Sequence, residues 1–418
     1  MVILENGQNS TVKIEVVSSL SAIDRDDWNS LTEGNPFVSF GFLNNLENTN
    51  CLSPQGWYPQ HITISNEKDG LLAAMPLFIR DNSYGEFVFD WAWADAYHRA
   101  GGQYYPKIVS ASPFSPVSGP RLLVKDKVAD KDTLKVILIK AAIDLCQTHR
   151  LSSWHSLFPN ENEINLYRQC ELLIRIGCQY HWFNDGFNTF EEFLDSLKSK
   201  RRKEIKRERK AADKSGLSFE VAVGKDIKEE QWSTFYQFYC STFLRKWGDP
   251  RLTEEFFHAL SDTPDAVPVL FLAKKGNSHV AGAFGVQGQD CLYGRHWGCN
   301  EHYDMLHFEL CYYRTIDYCI ENGLARLDAG AQGEHKLQRG FKAIKTFSAH
   351  WIREPRFRIA ISNFLAEETS IFPSKGEARK MVQANGVSIN KSKVGMDKKI
   401  GETDLIGGKF ILAQKGKK

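Results

Sequence analysis

The sequence has no long hydrophobic runs, no Cys-x-x-Cys pairs and no pattern in its first residues that predicts a leader segment. No stretch of about 18 apolar residues occurs, so no membrane-spanning helix is expected. Met1 to Asn6 do not form a basic segment that leads into an apolar run, and no signal peptide is predicted. The nine cysteines are scattered without a Cys-x-x-Cys pair, which argues against a disulfide scaffold and a zinc site. Reduced thiols in a cytoplasmic protein fit best.

Motifs for covalent catalysis and for metal binding are also missing. Nothing resembles a supported Ser-His-Asp or Cys-His set, and Gly-x-Ser-x-Gly is absent. Residues 338–343 match the phosphate-loop motif of ordinary acetyltransferases, Arg/Gln-x-x-Gly-x-Gly/Ala, only poorly. The spacing of His296, His302 and His307 predicts no metal site. Direct transfer of a group is therefore favoured over a covalent enzyme intermediate.

Composition indicates a globular chain with a basic end. The 418 residues suggest two or three domains, and 42% hydrophobic residues are enough for buried cores. The formal net charge is only +2, but about 13 basic and about 6 acidic residues follow residue 355. The basic character is therefore local, as expected of a segment that binds a phosphate backbone.

The body contains the same order of elements twice. In each half, antiparallel strands precede a helix, and a further strand follows, which predicts an α+β fold with mixed sheets. The expected strands are 61–64, 72–77, 84–89 and 152–158 in the first half, and 269–273, 280–284, 291–295 and 325–329 in the second, with helices at 133–148 and 306–321. A charged helix, 191–214, separates the halves. Its ten basic and three acidic residues between 198 and 214 indicate either a solvated linker or an arm that faces phosphates of a nucleotide or tRNA.

The last fifty or so residues predict a small folded module. Ser374 and Glu377 form a capping box, Gly386 can end the helix, and residues 387–389 alternate as a short strand. The expected RNA-binding residues are the basic ones on this helix and at the next turn: Lys375, Arg379, Lys380 and Lys391. A basic extension without a ligand is the alternative. The runs 374–379, 386–390 and 405–418 resemble the S-four-like RNA-binding fold at the C-terminus of bacterial tyrosyl-tRNA synthetases, which implies tRNA as a partner.

The body resembles the FemAB-like N-acyltransferases of the peptidoglycan biosynthesis or recognition type. The segments that carry this resemblance are 35–39, 84–97, 104–107, 113–121, 293–299, 307–313, 330–341 and 348–351. The resemblance implies two tandem GNAT-like mixed α/β units, followed by the small α+β RNA-binding module. The domain boundaries expected are 1–185 for the first unit, 186–216 for a basic linker helix, 217–358 for the second unit and 362–418 for the module.

The richest polar constellation follows the strand that ends at Asp328. Glu334 and His335 are the candidate catalytic residues, since acyl transfer to an amine needs a group that takes the amine proton. The candidate substrate-binding residues are Lys336, Arg295, His296, Asp90, Asp95 and Tyr97. A loop that merely caps the next segment is the alternative for residues 334–336. An ordinary strand ion pair is the alternative for Arg295, and an aromatic core with acids at its rim is the alternative for residues 90–97.

These features predict an N-acyltransferase that moves an acyl or aminoacyl group to an amine acceptor by direct attack. The donor is expected to be aminoacyl-tRNA or acyl-CoA, with no tightly bound cofactor. A GNAT enzyme that depends on acetyl- or acyl-CoA is one alternative. A non-catalytic RNA-binding protein with a degenerate transferase body is the other.

Overall fold

The computed structural model describes residues 2–6, 10–245, 248–331, 333–367, 387–389, 392–393 and 413–415. Side chains are described for residues 12–245, 248–331, 333 and 335–365. The chain divides into two compact units, 1–353 and 354–418. The finer division expected from the sequence, with boundaries at residues 185, 216 and 358, stays a prediction.

Nineteen strands are present in the described residues. In the first unit they are β1 (Val2–Asn6), β2 (Ser10–Val17), β3 (Trp57–Pro59), β4 (His61–Asn66), β5 (Gly70–Met75), β6 (Phe78–Arg80), β7 (Lys107–Ser110), β8 (Leu123–Val124), β9 (Ser153–Leu157), β10 (Leu173–Phe183), β11 (Ser218–Val223), β12 (Val267–Lys275), β13 (Ser278–Gln287), β14 (Cys291–Cys299), β15 (Arg326–Asp328) and β16 (Lys342–Ile352). In the second unit they are β17 (Val387–Ile389), β18 (Ser392–Lys393) and β19 (Ala413–Lys415).

Helices cover the sheets of the first unit and begin the second. They are α1 (Arg25–Asn29), α2 (Phe40–Asn48), α3 (Trp91–Arg99), α4 (Lys131–Thr148), α5 (Ile164–Gln169), α6 (Phe190–Ser196), α7 (Ser199–Asp213), α8 (Glu229–Leu244), α9 (Glu254–Ser261), α10 (Leu306–Phe308), α11 (Arg314–Glu321) and α12 (Pro355–Glu367). A π-helical segment, Glu309–Tyr313, joins α10 to α11. None of the helices in the described part of the chain is long and apolar enough to cross a membrane.

The first unit contains two sheets, and the larger one repeats a single motif. The small sheet has the order β1-β2-β4-β5-β8. The large sheet has the order β11-β12-β13-β14-β15-β10-β16-β9-β7-β6-β3. Its two parallel pairs are β7 with β9, connected through α4, and β14 with β15, connected through α10 and α11. Each half of the sequence thus supplies one parallel pair with a helical crossover.

The two halves exchange their last strands. β10 follows β9 in the chain but pairs with β15, where His181 lies opposite Asp328. β16 follows β15 but pairs with β9, where His350 lies opposite His155. β10 and β16 also pair with each other along most of their length. This reciprocal exchange joins the two halves into one continuous eleven-stranded sheet, and it repeats the same connection in both halves.

The large sheet separates two apolar cores because its buried strands carry apolar side chains on both faces. In β12, Leu270 and Leu272 contribute to one core together with residues of α8 and α9. Val269 and Phe271 contribute to the other core, which contains α11. A third core lies under α4, against the small sheet and the β9 end of the large sheet.

Two sequence expectations about local structure are wrong. Residues 84–89 form a loop rather than a strand, and Gly85 (φ +83°) and Phe87 (φ +60°) have left-handed backbone conformations that a strand excludes. The loop turns inward because the Glu86 carboxylate accepts from Lys107 Nζ at 2.8 Å. The charged helix expected at 191–214 is two helices, α6 and α7, which separate at Leu197, where the backbone is extended.

The second unit has α12 and a small antiparallel sheet of order β18-β17-β19. The short strand expected at 387–389 is confirmed as β17. The helix expected from Ser374 lies outside the described residues. The same holds for the four expected RNA-binding residues, Lys375, Arg379, Lys380 and Lys391.

Candidate active site

The two strands of the second parallel pair separate directly after Tyr293 and Asp328. β14 and β15 pair only from Cys291 opposite Arg326 to Tyr293 opposite Asp328. Beyond this point β14 continues beside β13, whereas the chain after β15 turns away at Gly330 (φ +76°). Ligands of α/β proteins commonly bind beyond the carboxyl ends of such parallel strands.

Asp328 is the centre of a buried polar cluster at this point. Its side chain is 1% exposed, and its Oδ1 accepts from Gly330 N at 2.8 Å. Arg295 Nη2 of β14 lies 3.3 Å from the same oxygen, and His181 Nε2 of β10 lies 3.6 Å from it. Burial lowers the pKa of His181, which leaves this ring neutral at neutral pH. The strand exchange brings His181 to this cluster, since β10 pairs with β15.

Lys336 adds a second cation to the cluster. It belongs to the 3-10 turn Glu334–Arg339, hereafter turn 334–339, and it is only 5% exposed. Its Nζ donates to the Ala329 carbonyl oxygen and lies 3.5 Å from the Gly330 oxygen. Burial lowers the pKa of Lys336 to about 8, although the Asp328 carboxylate acts in the opposite direction.

The cluster has more positive than negative charge. Arg295 pairs with the single carboxylate of Asp328, Lys336 Nζ is held by backbone carbonyl oxygens, and His181 is neutral. Among the described residues, no acceptor makes a hydrogen bond with the buried Nε of Arg295, and its Nη2 has only the 3.3 Å ion pair with Asp328. Buried donors without acceptors are costly, and such donors favour an anion or a polarised carbonyl oxygen at this place.

His335 lies beside Lys336 at the exposed surface of the same turn. Its Nε2 is 3.0 Å from the Tyr312 hydroxyl, and its ring packs against the rings of Phe308 and Tyr312. Partial burial lowers its pKa, with further contributions from the charges of Arg339 and Lys336. His335 is therefore a neutral, accessible proton acceptor. Gly333 has φ +101°, and a Cβ atom there would collide with the His335 ring.

Helix α7 holds turn 334–339 in place through buried hydrogen bonds. Arg339 Nη2 donates to Glu208 Oε1 of α7 at 2.7 Å, and Arg339 Nη1 donates to the His335 carbonyl oxygen at 2.9 Å. The Tyr313 hydroxyl also donates to Glu208 Oε2. Because the Arg339 and Glu208 side chains are 7% and 5% exposed, this pair holds the turn with little competition from water.

His296 does not join the cluster, although it follows Arg295 in the sequence. The register between β13 and β14 shifts at Arg295, which interrupts the regular alternation of side chains along β14. The His296 ring packs 4.8 Å from the Tyr239 ring and 6.2 Å from the Phe284 ring. Burial among these groups lowers its pKa to about 3. In this structure His296 is a packing residue.

The three candidate residues of the first half also lie apart from the Asp328 cluster. Asp90 is buried and accepts from Lys107 Nζ at 2.5 Å. Asp95 pairs with Arg99 at 2.8 Å on the exposed face of α3. The Tyr97 ring packs edge-on against the Tyr104 ring at 6.2 Å. The side chain of Glu334 lies outside the described residues.

Comparison with known proteins identifies the family. The sequence model of FemAB-like proteins, described as peptidoglycan biosynthesis/recognition, matches residues 19–383. This chain belongs to the FemAB-like family. The crystal structure of FemX, with 12% sequence identity, covers 84% of this chain and 100% of that chain at a TM-score of 0.53. A tandem GNAT protein from the clavulanic acid biosynthesis pathway, with 8% identity, covers 82% and 99% at a TM-score of 0.46.

Curated proteins resemble only a short part of the FemAB-like chain. A tyrosine–tRNA ligase of Porphyromonas gingivalis is 54% identical over 61 residues, which is 14% of this chain and 14% of that protein. A tyrosine–tRNA ligase of Cytophaga hutchinsonii is 52% identical over 50 residues, 12% of each. The chain thus spans about a seventh of the length of the curated relatives it matches. The similarity concerns the C-terminal residues.

These comparisons confirm the main expectations at the level of family and fold. The FemAB-like family and the mixed α/β fold are both confirmed. That the FemAB-like chain is an acyl- or aminoacyltransferase stays a prediction at this point. The roles of individual residues stay predictions.

Sequence reasoning missed several members of the FemAB-like site. Asp328 had a usable signal, because it ends a strand just before a loop that contains Gly330 and Gly333. For Tyr312 and Glu208, the only signal in the sequence was that each lies in a segment expected to be helical. His181 had no local signal, since its place beside Asp328 depends on strand pairing between the two halves.

Proposed function

We propose that this FemAB-like chain transfers an acyl or aminoacyl group to an amine acceptor at the cluster of Asp328, Arg295 and Lys336, with His335 as the base. The observation that carries this proposal is the presence of two buried cations, Arg295 and Lys336, with a single carboxylate and a neutral, accessible imidazole. Acyl transfer to an amine needs a proton acceptor and donors for the oxygen that becomes negative.

Each residue has a separate task in this proposal. His335 takes the proton from the attacking amine while the new C–N bond forms. Lys336 and Arg295 donate to the acyl oxygen as it gains negative charge, and the bond to the leaving oxygen or sulfur then breaks. Asp328 holds Arg295 in place, and the Ala329 carbonyl oxygen holds Lys336. Glu334 is the second candidate for the base, from its position at the start of the turn.

Aminoacyl-tRNA is the donor that we propose. The similarity of the C-terminal residues to tyrosine–tRNA ligases supports contact with RNA, and so does the local excess of basic residues. Acyl-CoA is the competing donor. Incubating the protein with radiolabelled aminoacyl-tRNA or acetyl-CoA, each with a panel of amines, tests the choice by which label is consumed.

The residue assignment is tested in the same assay. His335→Ala is expected to lower the transfer rate roughly 100-fold or more, because it removes the general base. His302→Ala is the matched control, since His302 is an exposed histidine that pairs with Asp304 at a distance of 3.6 Å. Unchanged turnover in both His335→Ala and Glu334→Ala would place the base elsewhere.

The C-terminal unit is tested by RNA binding. In a gel-shift salt titration with tRNA, the full chain is compared with residues 1–353. Replacing Lys375 and Arg379 together should flatten the dependence of log K on log salt by about 2, because two phosphate contacts are lost. Equal tRNA binding by the full chain and by residues 1–353 would remove the support that the C-terminal unit lends to a tRNA donor.

A further inference from the structure

Helix α7 sorts its charged side chains by face. Its inward face buries Ile205, Glu208 and Ala212 at helical spacing. Cations on the flanks of this face have acidic partners, as Arg209 shows with Asp317 at 2.6 Å and Glu309 at 3.2 Å. The inward side of α7 is therefore electrostatically balanced.

The outward face is not balanced. Five exposed cations follow one another at intervals of three and four residues, and together they are called the outer stripe: Lys200, Lys203, Arg207, Lys210 and Lys214. This spacing places them on one side of the helix over roughly 21 Å. In the part of the chain that the structure describes, none of the five side chains has a hydrogen bond or ion pair. Lys206, paired with Glu191, and the acidic Asp213 flank the stripe.

We propose that the outer stripe binds the phosphate backbone of an RNA stem, and that this stem belongs to the RNA donor of the proposed function. Like charges three and four residues apart on a helix repel each other, so a row of five without partners disfavours the helix. Phosphates relieve this repulsion, and the release of their counterions drives binding.

The surroundings of the stripe favour RNA over a lipid surface. Helices that lie in a membrane interface place large apolar side chains against the acyl chains. The one large apolar residue of α7, Ile205, faces inward and is buried, and of its two alanines Ala212 is buried and Ala211 half-buried. No residue between 198 and 214 is among the exposed large apolar side chains of the described chain. The outer stripe therefore presents positive charge without the exposed apolar side chains that a membrane-binding helix would need.

The position of α7 connects the stripe with the candidate active site. The same helix carries Glu208, which holds Arg339, and Arg201, whose Nη1 donates to Gln338 Oε1 at 3.1 Å. Both contacts are with turn 334–339, which carries His335. The stripe and the turn thus lie on opposite sides of one helix, which is about 10 Å across. The helix that carries the stripe therefore also holds the turn that carries His335.

The test uses the full chain and uncharged tRNA, so that binding is measured without transfer. The variant is Lys203→Gln with Arg207→Gln and Lys210→Gln. The control is Lys68→Gln with Lys127→Gln and Lys225→Gln, which removes the same charge from other exposed positions. By fluorescence anisotropy, the stripe variant should flatten the slope of log K against log salt by about 2 to 3. The ratio of the tRNA affinity at about 50 mM salt to that at about 200 mM salt should then be roughly 40-fold smaller for the stripe variant than for the unmodified chain. The control variant should match the unmodified chain.

Two outcomes would overturn the proposal. One is tRNA binding by the stripe variant equal to that of the control. The other is loss of binding to phosphatidylglycerol vesicles with tRNA binding unchanged, which would assign the stripe to a membrane. Circular dichroism checks that the variant is folded. If the stripe variant loses tRNA affinity but the full chain transfers nothing from aminoacyl-tRNA, the proposed donor fails and the RNA-binding stripe stands.

Discussion

Asp90 and Asp95 are five residues apart, and the fold places their carboxylates in opposite environments. Burial raises the pKa of Asp90, but the attraction of Lys107 outweighs it and holds that pKa below its usual range. The Tyr104 hydroxyl donates to the same carboxylate at 2.7 Å. Asp95 instead pairs with Arg99 where both side chains are mostly exposed. Two aspartates that are close in the sequence therefore make very different contributions to the stability of the folded chain.

Replacing these two aspartates should separate a buried ion pair from an exposed one. Asp90→Ala is expected to lower the free energy of unfolding by about 3 to 5 kcal/mol, because Lys107 loses a buried partner. Asp95→Ala should change it by no more than about 0.5 kcal/mol. Urea denaturation of both variants measures the difference. The contribution of Asp90 should be complete above about pH 4 and lost as the pH falls below that value, since its folded pKa is depressed. Equal stability of both variants would contradict the buried pairing.

The two neighbours Lys336 and His335 predict how transfer depends on pH. The rate should fall as the pH rises through about 8, because Lys336 loses its proton and its positive charge there. It should also fall in acid, below the usual histidine pKa, as His335 gains a proton. Lys336→Arg should remove the alkaline limb while transfer continues, since the guanidinium stays charged. A pH profile of kcat/KM whose alkaline limb is the same in Lys336→Arg would exclude this role for Lys336.

Among the elements, helix α7 has two tasks on two faces. Its inward Glu208 holds Arg339 and thereby the carbonyl of His335, while its outward cations are available to a ligand. Glu208 touches no reacting atom in the proposed function and acts by positioning turn 334–339. The helix therefore connects the position of the base with the surface where we propose that RNA binds.

Breaking the inward contact should affect catalysis and leave donor binding unchanged. Glu208→Ala is expected to lower kcat about tenfold or more with little change in the donor KM, because a loosened turn misplaces His335. Asp213→Ala is the control, since Asp213 lies at the end of the same helix with an exposed side chain. Steady-state kinetics separate the two parameters. A raised donor KM with unchanged kcat would show that Glu208 supports binding rather than the base.

At the scale of the whole first unit, the strand exchange makes the two halves depend on each other. β16 lies between β10 and β9, and its Phe347, Ala349 and Trp351 complete the core under α4. Neither half contains all the strands of its own part of the sheet. The two halves of the sequence therefore repeat the same topology, but each half needs a strand of the other to complete its packing.

Residues 1–353 should consequently unfold as one cooperative unit. Residues 1–216 alone should lack a cooperative transition, because β9 and β10 lose the strand between them and the core loses three apolar side chains. Near-ultraviolet circular dichroism and tryptophan fluorescence during urea titration test this, and the two probes should coincide for residues 1–353. A sigmoidal transition of residues 1–216 would show that the first half folds by itself.

Local patterns determined a large part of this molecule. The expected helix at 133–148 is found as α4, the strands at 269–273 and 280–284 lie within β12 and β13, and the repeated order of elements matches the tandem fold. These features depend on periodicity and capping within about twenty residues, which the chain itself displays. The resemblance to the FemAB-like family, carried by short segments, is confirmed as well.

The tertiary structure alone decided which distant residues meet. His181 reaches Asp328 only because the halves exchange strands, and residues 84–89 leave the sheet because Lys107 draws Glu86 inward. Arg295 reaches Asp328 and the Phe37 ring, whereas His296 packs against Tyr239 and Phe284, at a point where the register between β13 and β14 shifts. Such contacts depend on burial and strand pairing between residues that are more than a hundred positions apart. The free energy of these long-range contacts cannot be read from a local pattern of side chains.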